Sequence, residues 1–197
     1  ALASLDISTG EFEVGDVAGS DLVGELIRLA PSEVIVADGL LGDQNFVRAV
    51  EYAGGKLTPI PTAYFNSGAG GRDLKACLGV ADLSAFGAFS GSELAAIAAV
   101  LKYVDLTQMG RKPLINPPRK TAGARLFIDA ASRASLELVR AASGEKSSTL
   151  LAAMDRTVTG AGSRELQARL SSPLTDPAAI EARLDAVAYL LNDRRLL

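Results

Sequence analysis

Leu5 and Ile7 flank Asp6, Phe12 and Val14 alternate with Glu11 and Glu13, and Ser8-Thr9-Gly10 lies between the two sets. Successive side chains of a strand point to opposite faces. This opening therefore predicts an antiparallel hairpin with one buried face, and with Glu11 and Glu13 on a solvated one. The period then lengthens: Leu22, Leu26 and Leu29 fall on one side of a helix expected from about Ser20 to Ala30, closed by Pro31. The run Glu33-Val34-Ile35-Val36-Ala37 reads as a short apolar strand bounded by Asp38-Gly39. Phe46, Val47 and Val50 mark a helix from near Asp43 to Ala53 with Gly54-Gly55 as its stop, and Leu57 to Ile60 is another strand. Asn66 to Gly71 is expected to be a flexible glycine-rich loop ahead of a small helix over Arg72 to Leu78. Ser90 and Glu93 have the spacing of a capping box, opening a helix whose Leu94, Ile97, Leu101 and Val104 share a face. A hairpin followed by alternating strands and helices predicts a mixed sheet with helices packed on its faces.

After Asp105 the pattern breaks. Lys112-Pro113 and Asn116-Pro117-Pro118-Arg119-Lys120, ended by Gly123, spell a stiff, basic, extended connection. The chain thus divides into an α/β part over 1–106, a linker over 107–124 and an all-α part over 125–197. In the last part Leu126-Phe127-Ile128 is extended, and Asp129 caps a helix to about Ala142 with Ala131, Ser135 and Leu138 on one face. Ser143 to Ser148 is a polar loop, and a short helix runs from Thr149 to Met154. Thr159 caps the next helix, Leu166 and Leu170 share its inner face, and Pro173 stops it. Asp176 caps the final helix, Pro177 takes its first position, and Ile180, Leu184, Val187 and Leu191 form an apolar stripe. So short a link predicts that the last two helices pack against each other.

Composition narrows the chemistry. The 197 residues are 48% hydrophobic and 22% charged, as in an ordinary globular protein with room for one large domain or two small ones. No apolar run approaches the roughly 20 residues that span a bilayer, and no basic-then-apolar signal segment opens the chain. With a single cysteine, Cys77, these features suit a cytoplasmic protein, and Cys77 itself reads as a buried apolar residue. The chain begins with Ala1 rather than methionine, as an excised piece of a longer protein would. With no histidine, neither a serine–histidine nor a cysteine–histidine nucleophile pair can form, nor a histidine-ligated metal site. Residues 1–106 hold 14 acids against 6 bases, whereas residues 107–197 hold 9 acids against 14 bases. The acidic first part disfavours nonspecific contact with phosphate backbones, and the basic surplus of the second reads as solvated helix faces.

Candidate chemistry is sparse. Asp6 follows the first strand, where a metal-dependent nuclease of the RNase H-like kind carries a carboxylate, and Glu11, Asp38 and Asp82 are the candidate further ligands. Their simpler reading is a strand face and turns. Ser143-Gly144-Glu145-Lys146-Ser147 has Lys-Ser near a glycine but lacks the P-loop spacing, and Gly68, Gly70 and Gly71 lack the flanking elements of a dinucleotide site. No catalytic, cofactor-binding or metal-ligating residue is assigned.

Asp155-Arg156-Thr157-Val158-Thr159, then Arg164, Leu166, Leu170, Pro173-Leu174, Asp176 and Ile180 through Val187, resemble the MutS family of DNA mismatch-repair proteins at the opening of its helical core, or lever, domain. Gly160 stands where the family often has proline, which weakens the helix start, and Arg169 where many members have tryptophan. Leu2 through Phe12 are similar to the opening of the family's connector domain, and Asp129 through Arg133 with Leu136-Glu137-Leu138 to its entry into the core. The resemblance implies an RNase H-like connector followed by a partial helical core domain. It implies a part that couples mismatch binding to an ATPase and offers a surface to MutL, without catalysis of its own. The whole protein would bind mismatched DNA through domains absent here, act as a homodimer and a mismatch-dependent ATPase, and use ATP with magnesium. Neither the phenylalanine–x–glutamate wedge nor the P-loop of that family occurs in these residues. The resemblance also casts Lys112–Gly123 as a hinge whose prolines limit bending. The competing classes are an autonomous nuclease or resolvase using Asp6, and a structural adaptor without nucleic acid.

Overall fold

The computed structural model describes residues 1–108, 113–120, 125–143 and 145–192. They fall into two compact units, Ala1–Ala122 and Gly123–Leu197. No helix among the described residues is long and apolar enough to cross a membrane.

In the first unit β1 (Leu2–Leu5) and β2 (Phe12–Gly15) form the expected hairpin, with Leu2 opposite Gly15 and Leu5 opposite Phe12. Its turn differs from expectation at Ile7, which is outside the strand and half exposed. The second difference is Glu13. All of β2 is buried, and Glu13 is ion-paired at 3.1 Å with Arg28 of α1 (Leu22–Leu29) rather than solvated, while Glu11 is exposed as expected. Arg28 also holds Glu25 at 2.8 Å, so one guanidinium ties α1 to the hairpin.

The sheet is not continuous. β3 (Val34–Ala37) and β4 (Leu57–Ile60) pair in parallel across α2 (Gln44–Tyr52), whose N-terminal amides at Asn45 and Phe46 donate to the Asp43 carboxylate. They do not join β2, because β2 has its second edge occupied by β5 (Arg119–Lys120), which runs parallel to it. The unit therefore has two apolar clusters. One gathers Phe12, Val14, Leu74, Leu83 and Ile97, and the other Leu26, Val34, Val36, Val50 and Ala53.

The glycine-rich stretch expected to be a loop is helical. α3 (Ser67–Leu78) starts there, capped by the Asn66 side chain, which accepts from the Ala69 amide at 2.9 Å. Each glycine costs a helix about 1 kcal/mol relative to alanine. Here Gly70 lets α3 lie directly on the backbone of α4 (Gly91–Thr107), and Leu74 is fully buried beside it. Cys77, expected inside, is exposed: it shares the face of Gly70 and Leu74 but stands in the last turn of α3, one residue before its end. The capping box of α4 is complete, with both Ser90 and Glu93 engaged.

Two polar links join the apolar clusters: Arg28 to Glu13, and Tyr103 of α4 to Glu33 at 2.8 Å, where Glu33 also accepts from the Thr58 hydroxyl. The Thr58 and Tyr103 hydroxyls hold the Glu33 carboxyl below the usual carboxylate range, and the same carboxylate pushes the Tyr103 phenol up. A depressed carboxyl stabilises the fold above its unfolded value near 4.5, and that contribution is lost as pH falls through the lower folded value. Tyr103→Phe is expected to raise the Glu33 pKa, to reduce the loss of stability in acid, and to cost about 1 kcal/mol at neutral pH. Carboxyl NMR titration combined with urea unfolding checks all three.

The second unit is helical. α5 (Ala130–Leu136) is capped by Asp129 as expected but stops well before Ala142. Glu137 turns left-handed (φ 45°), and the Glu137 and Leu138 carbonyls then accept the first amides of α6 (Leu150–Met154) at 3.1 and 2.9 Å. Leu138 is consequently buried off the helix, while Leu136 is exposed. α7 (Gly160–Ser171) is capped by Thr159, which accepts from Gly162 at 3.0 Å, so the helix begins at Gly160 without a proline. Asp155 accepts from the Thr157 amide and hydroxyl and from the Ser163 hydroxyl, closing the Asp155–Thr159 turn onto α7. After Pro173 the chain pairs with the extended piece at Arg125–Leu126. α8 (Pro177–Asn192) follows its Asp176 cap, but no described residue of it is buried. The expected close packing of the last two helices is not formed: Ile180, Leu184 and Val187 are exposed and line an open groove with Arg169 and Leu174.

Candidate functional site

Each of the four carboxylates of the nuclease reading already has a hydrogen-bonding or ionic partner. Asp6 accepts from the Ser8 amide at 2.8 Å and the Ser8 hydroxyl at 2.6 Å; Asp38 accepts from the Thr62 hydroxyl at 2.5 Å and from the Gly39 and Thr62 amides; Asp82 accepts from the Ser84 amide and hydroxyl. The Ser8, Thr62 and Ser84 hydroxyls, in that order, hold Asp6, Asp38 and Asp82 below the ordinary carboxylate range; Asp6 and Asp82 close turns, whereas Asp38 ties the end of β3 to the end of β4. Glu11 faces Arg119 at 3.8 Å on the surface. Among the described residues no three histidine, cysteine, aspartate or glutamate side chains gather as a metal site would require. Nothing in this geometry supports the nuclease alternative.

The arrangement that does converge lies where the chain leaves the first unit. Residues 113–120 are extended, as their prolines dictate, but they are docked rather than free. They form a strap across the hairpin. Gly10, at φ 77°, is so close beneath it that a Cβ there would stand 2.4 Å from the Leu114 carbonyl oxygen. The Asn116 amide donates to the Gly10 carbonyl at 2.9 Å, Ile115 packs on the Phe12 cluster, and Pro118 is buried. The strap then becomes β5, with Arg119 and Lys120 in register with Glu13 and Val14. Of the expected hinge, Lys112 and residues 121–123 lie outside the described residues.

Lys120 anchors the end of the strap. Its Nζ sits 3.0 Å from Glu93 Oε2, donates to the Ala88 carbonyl at 2.6 Å, and lies 5.9 Å from the centre of the Phe89 ring. Glu93 is 1% exposed. The same Oε2 accepts the Ser90 amide at 2.7 Å, while Ser90 Oγ accepts the Glu93 amide at 3.2 Å. One buried carboxylate thus serves both the cap of α4 and the strap. The sequence marks Glu93 as a capping residue and Lys120 as part of a basic stretch, and no local signal joins them.

An α/β unit whose exit strand is strapped onto its own hairpin, followed by a separate helical unit, is an architecture in which two domains are linked in series. Comparison with known families gives the class: MutS domain II matches residues 1–116 and MutS domain III matches residues 131–197. The chain belongs to the MutS family. Among its relatives, the DNA mismatch repair protein MutS of Azorhizobium caulinodans is 43% identical over all 197 residues. The chain spans 21% of the length of that relative.

Proposed function

We propose that these residues are the coupling part of a DNA mismatch-recognition protein, in which the first unit is the RNase H-like connector, 125–197 is the beginning of the core domain, and neither carries out catalysis. In this reading the whole protein binds mismatched DNA and ATP with magnesium as a homodimer in the cytoplasm. The connector offers a surface to MutL and passes movement between the mismatch-reading and ATP-hydrolysing ends. The observation that carries the reading is the match of two consecutive domains of one family across one chain, in which the first unit holds its own exit strand by an ion pair to the buried Glu93. A docked exit strand moves with its domain, as a relay between domains requires.

The 197-residue chain by itself is expected to show no ATP turnover and no preference for mismatched over matched duplex. A coupled ATPase assay and a gel shift at moderate salt measure both, and turnover or a mismatch-specific shift overturns the reading. Capture of MutL by the first unit tests the partner surface.

A further inference from the structure

We propose that Glu93 and Lys120 form a latch that makes the seating of the strap and the capping of α4 a single event. Lys120 Nζ and the Ser90 amide share one oxygen, Glu93 Oε2, at 3.0 and 2.7 Å. Glu93 is almost completely buried, whereas the Lys120 side chain is 35% exposed. Lysine can therefore leave for water, but the carboxylate it leaves behind cannot hydrate where it stands. A buried carboxylate without its cation costs far more than a paired one, so the side chain must swing outward. Swinging out withdraws Oε2 from the Ser90 amide and opens the cap. The coupling runs the other way as well, because loosening the cap removes what orients the carboxylate toward Lys120.

The strap's other described polar ties to the hairpin are the parallel pairing of β5 with β2, Asn116 to Gly10 at 2.9 Å, Asn116 Nδ2 to the Thr9 carbonyl at 3.4 Å and the exposed Arg119–Glu11 pair. At the far end of α4, Tyr103 holds Glu33, which adjoins Val34 of the second apolar cluster. A pull on the strap is thereby reported to the helix that packs in the first cluster and is tied through Glu33 to the second. The latch exists whether or not the chain works as a relay, although its use for passing movement between domains rests on the coupling reading above.

Hydrogen exchange of the 197-residue chain tests it. Lys120→Met is expected to speed exchange of the Asn116 amide in the strap and of the Ser90 and Glu93 amides in the cap together, each by about tenfold. Ser90→Ala, which removes a hydroxyl bonded to Ser92 and to the Glu93 amide, is expected to speed Asn116 exchange by roughly threefold through the same carboxylate. Lys102→Met, which removes the exposed 4.0 Å pair with Asp105, is expected to change neither region. Acceleration confined to the strap in Lys120→Met, or an unchanged Asn116 amide in Ser90→Ala, overturns the latch. If both regions respond together yet Lys120→Met leaves mismatch-stimulated ATPase activity of the full-length protein unaltered, the latch stands and the coupling reading falls.

Discussion

Gly70→Ala is expected to destabilise the first unit by about 3 kcal/mol, at the upper end of the cost of overfilling a packed interior. Its added Cβ would stand 2.0 Å from the Leu94 carbonyl oxygen, 2.8 Å from the Leu94 carbonyl carbon and 3.3 Å from the Ala98 Cβ. The first two are helix backbone and cannot rotate away. Relief requires α3 and α4 to separate, which would uncover Leu74 and Ile97, both 0% exposed. Gly71→Ala is the matched control. Its Cβ would meet only Leu94 Cδ1 at 4.0 Å, so the intrinsic preference of a helix for alanine should prevail and stabilise the unit by about 0.5–1 kcal/mol. Urea unfolding should show these neighbours moving the midpoint in opposite directions. A shared direction would mean that the α3–α4 contact is looser than described.

The second large effect is expected at the hairpin turn. Gly10→Ala combines a left-handed backbone, φ 77°, with a Cβ 2.4 Å from the Leu114 carbonyl oxygen. The backbone alone costs alanine roughly 1–2 kcal/mol, and the collision acts on the strap. Gly79→Ala separates the two contributions, since Gly79 has a similar φ of 67° with no atom within 4 Å of the added Cβ. We expect Gly79→Ala to cost about 1 kcal/mol and Gly10→Ala about 3 kcal/mol. Only Gly10→Ala should expose the Asn116 amide, whose partner is the Gly10 carbonyl. Denaturation midpoints give the first comparison and hydrogen exchange at Asn116 the second. Equal costs for the two substitutions would show that the strap does not press on the turn.

Local patterns in the sequence determined a good deal of this chain. The Leu5–Phe12 hairpin, the apolar runs of β3 and β4, the Ser90–Glu93 box, and the Asp129, Thr159 and Asp176 caps are all legible because each depends on residues within a few positions. Family membership was legible for a related reason, since the Asp155–Thr159 turn and its following helices form one ordered local run. Tertiary structure decided the rest, wherever the partner is remote. Glu13 is buried because Arg28 arrives from another element, and Gly70 is helical because the α4 backbone requires its missing side chain. Glu137 ends α5 early because α6 needs its carbonyl. The apparent spacer at 113–120 is docked and ends in the two-residue strand β5 because β2 offers an open edge and Glu93 a buried charge. Periodicity reports which face a residue presents, but only the folded chain brings to that face the charge or backbone that meets it.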